Sequence, residues 1–199
     1  YVVLNGYAHD QDIQLLKSYL KWLDKHAPSA VIVADLGVAR MVKRLTSIPI
    51  HVSTQASITN AYGCQLWMDE VGASRIILAR EVSLAECRSI LDRVSVELEV
   101  FVHGAMCASY SGKCVISNYS SGRDSNRGGC IQSCRHDYQL KDYQTKESVR
   151  SAHIMNATDL MGIAQLPECI RSGIVSCKIE GRMKSNLYVS NAVHVYRRA

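Results

Sequence analysis

No apolar run in this 199-residue chain approaches the roughly 18–20 residues needed to cross a bilayer. A helical membrane span is therefore excluded. Its eight cysteines are about 4% of the residues, too few for a small secreted scaffold held by disulfides, where roughly 8–10% is usual. No strand-like run is followed by G-x-G-x-x-G, which leaves a dinucleotide-binding fold unsupported. The metalloprotease H-E-x-x-H and the hydrolase G-x-S-x-G are absent as well. Disorder is excluded by 47% hydrophobic against 21% charged residues. The opening Tyr1–Asn5 has no initiator Met, basic n-region or small-residue cleavage site. It reads as a strand from the middle of something longer, and a reducing cytoplasm is the expected compartment.

What is present is a repeated strand–helix pattern. β-Branched runs occur at Tyr1–Asn5, Ala30–Ala34, Ile50–Thr54, Arg75–Ala79, Glu97–His103 and Ile174–Ile179. Helix-period stretches are expected at Asp10–Lys25, Gly37–Leu45, Ser57–Val71, Ser83–Val94, Asp159–Ser172 and Lys184–Arg198. Ser83 and Glu86 have capping-box spacing, and Gly173 suits the end of the fifth stretch. Alternation of this kind predicts a parallel sheet covered by helices, with strands apolar throughout because both faces are buried. Six units satisfy a doubly wound sheet; a closed (β/α)8 barrel needs eight.

The fifth unit is irregular. About 50 polar, Gly- and Cys-rich residues intervene before the next helix, and loops of that length in compact domains are usually functional. They begin at a strand's C-terminal end, where parallel α/β folds build their sites. The equivalent positions elsewhere hold Asn5, Asp35, Gln55 with Ser57, Arg80 with Glu81, His103, and Lys178, Glu180 and Arg182. For Asp35 and Ser57 a helix cap is the simpler role. Together the six polar strand ends suggest one pocket.

Cys107, Cys114, Cys130 and Cys134 fall within 28 residues, spaced C-x6-C-x15-C-x3-C. Four thiolates separated by glycine and serine can wrap one small site, with glycines allowing the positive-φ turns. Only Cys130 and Cys134 have the spacing of a zinc knuckle. Iron–sulfur clusters take four cysteines at wider intervals, so spacing leaves cluster and zinc both open. Cys64, Cys87, Cys169 and Cys177 read as small buried hydrophobes, the last two being candidates to lie near the four.

Three stretches carry a resemblance: Phe-Val-His-Gly-Ala-Met-Cys (101–107), Tyr-Ser-Gly-Lys-Cys-Val-Ile-Ser-Asn-Tyr (110–119), and Gly-Arg-Asp-Ser-Asn-Arg-Gly-Gly-Cys-Ile-Gln-Ser-Cys-Arg (122–135). With His-Val-Ser-Thr-Gln-Ala-Ser (51–57) and Ser-Cys-Lys-Ile-Glu-Gly-Arg-Met-Lys-Ser (176–185), they resemble the signature of the collagenase-like peptidase family U32. The resemblance covers essentially the whole chain. It implies a TIM-barrel-like (β/α)8 domain, incomplete here at six of eight units, over residues 1–199. A Cys-rich cluster-binding insert over residues 104–155 follows the fifth visible strand. The family's usual first two strand–helix units and its C-terminal extension are missing, so the chain is expected to be a fragment.

The family name records proteolysis, but better-understood members resemble prephenate-dependent RNA hydroxylases. One branch converts the tRNA wobble uridine to 5-hydroxyuridine, another acts on a ribosomal RNA cytidine, and a third hydroxylates ubiquinone precursors without oxygen as a pair of paralogous subunits. The Asn-Arg-Gly-x-Cys-x-Gln-x-Cys-Arg run is most similar to the tRNA branch. By that likeness Cys107, Cys114, Cys130 and Cys134 become ligands of a [4Fe–4S] cluster, with zinc the alternative. Glu180 and His103 are the expected proton-transfer groups. Asn5, Asp35, Gln55, Lys178 and Arg182 are expected to bind substrate. The expected partners are tRNA or another RNA, a prephenate-like donor and, for the quinone branch, a paralogous subunit. Residues 101–150 carry 7 Lys/Arg against 4 Asp/Glu, and 178–199 carry 5 against 1, so the positive charge collects around the Cys-rich stretch, as an anionic partner requires. Peptidase action remains the rival, with Cys107 and His103 as a conceivable nucleophile and base.

Overall fold

The computed structural model describes residues 1–199. Its strands are β1 (Val2–Leu4), β2 (Val31–Val33), β3 (Ile50–Val52), β4 (Arg75–Ile77), β5 (Glu97–Gly104), β6 (Tyr138–Lys141), β7 (Ser148–Ala152), β8 (Leu160–Met161) and β9 (Ser176–Glu180). The helices are α1 (Asp10–His26), α2 (Leu36–Leu45), α3 (Ala61–Val71), α4 (Leu84–Leu91), α5 (Ile116–Ser121), α6 (Leu166–Arg171) and α7 (Asn186–Arg198).

Six strands pair in parallel in the order β1-β2-β3-β4-β5-β9. A doubly wound sheet reverses its strand order part way; this one never does. Each crossover moves one strand further in the same direction, and the sheet curls into a half-barrel with helices outside. Alternate residues face the helices: Val31, Val33, Ile50, Val52, Ile76, Leu78, Leu98 and Val102 join Leu20, Leu23, Val38, Val42, Cys64, Trp67, Cys87 and Cys169 in one core. Full burial of each large aliphatic side chain is worth about 1.5–3 kcal/mol.

The other face mixes buried Ile32 and Ile77 with polar side chains. His51, Arg75 and Glu97 are register neighbours on β3, β4 and β5. Glu99 is buried and accepts from the Ser176 hydroxyl at 2.8 Å. Lys178 lies 3.2 Å and Arg75 3.6 Å from the same carboxylate. Burying a carboxylate is tolerated only with such partners.

Helix starts follow the capping residues. Asp35 accepts from Val38 N at 2.8 Å, and Ser83 and Glu86 form the expected capping box. Ser57 adopts φ +56° and ends a 3-10 turn, which is why α3 begins at Ala61 and not at Ser57. The helix expected over Asp159–Ser172 is shorter. Leu160–Met161 pair antiparallel with His103–Gly104, and Gly162 donates to Val102 O at 2.8 Å. A Cβ on Gly162 would sit 2.6 Å from that carbonyl, so the chain is held flat there and α6 starts only at Leu166. Cys169 and Cys177 neighbour each other across α6 and β9, in place of the expected approach to the other four cysteines.

Candidate functional site

The segment after β5 folds back as a strap across the C-terminal ends of the strands. Past β1, the Tyr7 hydroxyl donates to Gly112 O at 2.6 Å and Tyr7 N to Asn126 O at 3.1 Å. Arg127 donates to Tyr7 O and to Asp12 at 2.8 Å. Past β3, the Ser57 hydroxyl donates to Ser111 O. Gly112, at φ +73°, lies so close to the Gln55 backbone that a Cβ would collide with it. Past β4, Arg80 N donates to the Ser111 hydroxyl at 3.0 Å, and Ser111 N to Glu81 at 2.9 Å. Past β9, Arg182 donates to Gly128 O at 2.7 Å.

Within the strap, short elements gather the four cysteines. Asn126 donates to Cys114 O at 3.2 Å, and Ile131 N to the buried Ser117 hydroxyl at 3.2 Å. The Ser120 and Ser133 hydroxyls meet at 2.7 Å. Arg135 reaches Met106 O at 3.2 Å, which draws the last cysteine block toward the first. Gln132 N donates to the Cys130 sulfur at 3.4 Å. All four thiols are free, with Cys107 exposed and the others half-buried. Surrounding protein pushes the Cys107 thiol up; Arg80 opposes this, while Cys114, Cys130 and Cys134 add to it. No three His, Cys, Asp or Glu side chains lie close enough together to hold a single metal ion.

Beneath the strap, the Arg80 guanidinium stacks 4.1 Å from the Phe101 ring centre and lies 3.4 Å from Glu180. Glu180 also accepts from Arg182 N at 2.7 Å. Arg80 Nε and Gln55 Oε1 are buried without protein partners, which is uncommon for such groups. The mouth therefore offers cations, one carboxylate and unspent hydrogen-bonding capacity. A surface concavity of about 690 Å³ lies elsewhere, beside Ala73, Leu91 and Val175. It opens near the N-terminal ends of β4, β5 and β9, where parallel α/β folds do not build active sites.

Of the expected site residues, Glu180 lies at this mouth with Arg80 and the Arg182 N–H, Arg182 reaches the strap at Gly128, and Gln55 lies under Gly112 with its Oε1 unpartnered. Asn5 is spent on the Ser53 hydroxyl at 3.1 Å. Asp35 is the α2 cap and not a pocket residue, since its oxygen already takes a helix N–H. Lys178 is paired with Glu99 one layer down. His103 is the clearest correction. β5 carries one extra residue between Phe101 and His103 relative to β9. That bulge turns His103 toward α7, where Nε2 meets the Tyr188 hydroxyl at 3.0 Å and the ring packs edge-on to Tyr196. Arg80, named among the polar strand ends, belongs to the site, and so do Tyr7, Phe101 and Ser111, which were not expected there.

Fold and site together define a singly wound α/β chain with a thiol-bearing strap over its strand ends. The chain belongs to peptidase family U32, whose sequence profile matches residues 1–199. It is 44% identical over 207 positions to tRNA hydroxylation protein P1 of Bacillus subtilis, covering 100% of this chain and 48% of that protein. It is 36% identical to the 23S rRNA 5-hydroxycytidine C2501 synthase of Escherichia coli, covering 99% of the chain and 30% of the relative. It is 31% identical to a Porphyromonas gingivalis collagenase, covering 100% and 50%. The chain thus spans about half the length, or less, of these curated relatives. Among solved structures, the U32 peptidase Mk0906 superposes with a TM-score of 0.53 at 15% identity, over 92% of this chain and 70% of that one. That likeness concerns the fold.

Proposed function

We propose that the protein containing this chain is a cytoplasmic RNA hydroxylase, acting on the tRNA wobble uridine to give 5-hydroxyuridine in a prephenate-dependent reaction. The observation that carries this is the whole-chain 44% identity to a tRNA hydroxylation protein, joined by a relative that hydroxylates ribosomal RNA. We read the half-barrel as part of a (β/α)8 barrel, because its edge strands β1 and β9 each have one side unpaired.

Cys107, Cys114, Cys130 and Cys134 would hold a [4Fe–4S] cluster. Four sulfurs around one zinc at about 2.3 Å stand less than 4 Å apart, whereas a four-iron cluster holds them wider. The Cys107 thiol feels the charge of Cys114, Cys130 and Cys134, as four ligands of one group would. When bound, the cluster would supply electron-transfer or Lewis-acid chemistry. Arg80 and Arg182 suit the carboxylates of an anionic donor, and Arg80 Nε has a hydrogen bond to give. Glu180, held by the Arg80 guanidinium and the Arg182 N–H, would take or return a proton.

The peptidase alternative draws on the family label and the collagenase relative. The geometry favours it less, because the β5 bulge turns His103 toward α7, where Nε2 meets the Tyr188 hydroxyl. Anaerobic purification with iron, sulfide and zinc assay tests the cofactor. Zinc without sulfide, unchanged in Cys130→Ser, would sink the cluster. Mass spectrometry of tRNA nucleosides from a deletion strain tests the activity: 5-hydroxyuridine derivatives should disappear unless a redundant route exists.

A further inference from the structure

β6 and β7 form a two-stranded ribbon of their own, paired from Tyr138↔Ala152 to Lys141↔Ser148 and joined to no other sheet. Residues 139–151 are exposed on both faces. An isolated hairpin is marginally stable in water, so this one gains little for the fold. Its base is nevertheless fixed beside the cysteines. The Tyr138 hydroxyl donates to Ser133 O at 2.8 Å, next to Cys134, and Arg135 bonds Asn156 at 2.8 Å and Asp159 at 3.3 Å.

The ribbon's chemistry is directed outward. Lys141, Lys146 and Arg150 form no ion pair. Of the two acids, Asp142 is occupied in the turn, accepting from Gln144 N at 2.8 Å and Thr145 N at 2.7 Å. At the tip Tyr143 is 86% exposed, with the Lys146 ammonium 4.4 Å from its ring centre. Unpaired cations on an extended ribbon suit a phosphate backbone, and an exposed aromatic ring suits an unstacked base. We infer that the 138–152 hairpin is an RNA-binding arm that holds the nucleic acid over the cysteine-bearing mouth. The inference rests on the RNA reading proposed above and adds the surface that grips the RNA.

The test uses the full-length protein, total tRNA and three versions: wild type, Lys141→Ser/Lys146→Ser/Arg150→Ser, and Tyr143→Ala. All substitutions are at exposed positions, and matching thermal midpoints will show that the fold is kept. The triple variant should bind tRNA about tenfold or more weakly, and its salt dependence should flatten by about 2–3 in log–log slope. Tyr143→Ala should weaken binding while leaving the slope unchanged. Wild type that binds and hydroxylates tRNA beside variants of equal affinity and slope would overturn the arm, including in favour of an acidic protein partner, while leaving the RNA reading intact. Wild type that neither binds nor modifies RNA would overturn both.

Discussion

The Tyr7 hydroxyl, just past β1, donates a 2.6 Å hydrogen bond to the carbonyl of Gly112 in the strap that follows β5. A bond spanning 105 positions fastens the cysteine-bearing segment to the far edge of the sheet. Gly112 makes it possible, since its φ of +73° and contact with the Gln55 backbone leave no room for a side chain. Gly112→Ala should therefore lower stability by about 1–3 kcal/mol and reduce iron bound per chain. Tyr7→Phe, which keeps the ring and loses one hydrogen bond, should cost about 0.5–1.5 kcal/mol. Denaturant melts and iron assays on both variants check the ranking; equal effects would contradict it.

Glu99 and Glu97 make a controlled comparison on the polar face of β5. Glu99 is buried among Arg75, Lys178 and Ser176, whereas Glu97 pairs with Arg75 at 2.7 Å with half its side chain in solvent. Glu99→Gln should destabilise by about 1–3 kcal/mol, because Lys178 and the Ser176 hydroxyl lose their charged partner while Arg75 keeps only Glu97. Glu97→Gln should cost no more than about 1 kcal/mol. Equilibrium unfolding in urea gives both values, and a larger loss at Glu97 would refute the layer assignment.

Six of the eight cysteines should divide by experiment as they do by position. Cys64 and Cys87 lie in the core, where burial pushes both thiols up to about 11. Alanine at either should lower stability by about 1 kcal/mol and leave iron content unchanged. On the proposed cluster, serine at Cys107, Cys114, Cys130 or Cys134 should lower iron content with little direct cost in packing. In the metal-free protein, iodoacetamide should modify Cys107 long before Cys64 or Cys87, which react only on unfolding.

The parts of this structure that were legible in the sequence are those where burial wrote a period. Val31–Val33, Ile50–Val52 and Ile76–Leu78 announce strands covered on both sides, and the Ser83/Glu86 capping box marks a helix start. The 138–152 hairpin left no such trace because neither of its faces is buried, so no alternation of polar and apolar residues was required. His103 was misplaced by a single extra residue in β5, a bulge that hydrophobic pattern does not record but that reverses a side chain's direction. Asp35 looked the same as a cap and as a ligand-binding group, and only its bond to Val38 N separates them. The strap's attachments through Tyr7, Ser111 and Arg80 join residues up to 120 positions apart, beyond the reach of local pattern.

His51 offers a pH test of the polar face. Burial holds its imidazole below the ordinary value of 6.5; Arg75 adds to this, Glu99 and Glu97 oppose it, and Lys178 lowers it further. Nδ1 is buried without a partner, and Tyr1 packs edge-on at 4.8 Å between ring centres. The folded state therefore keeps His51 neutral at pH values where the unfolded chain binds a proton. When the unfolded state holds more protons, stability rises with pH. His51 should thus contribute nothing to pH dependence above about 7, and should cost stability progressively as pH falls through 6.5. Asp12 and Asp159, whose carboxyls are held below the ordinary 3.8, act in a lower window, their stabilisation fading only as pH falls below about 4. Urea midpoints between pH 5 and 7.5 should consequently slope upward in wild type and flatten in His51→Gln. An unchanged slope in that variant would show that the proton is taken up elsewhere.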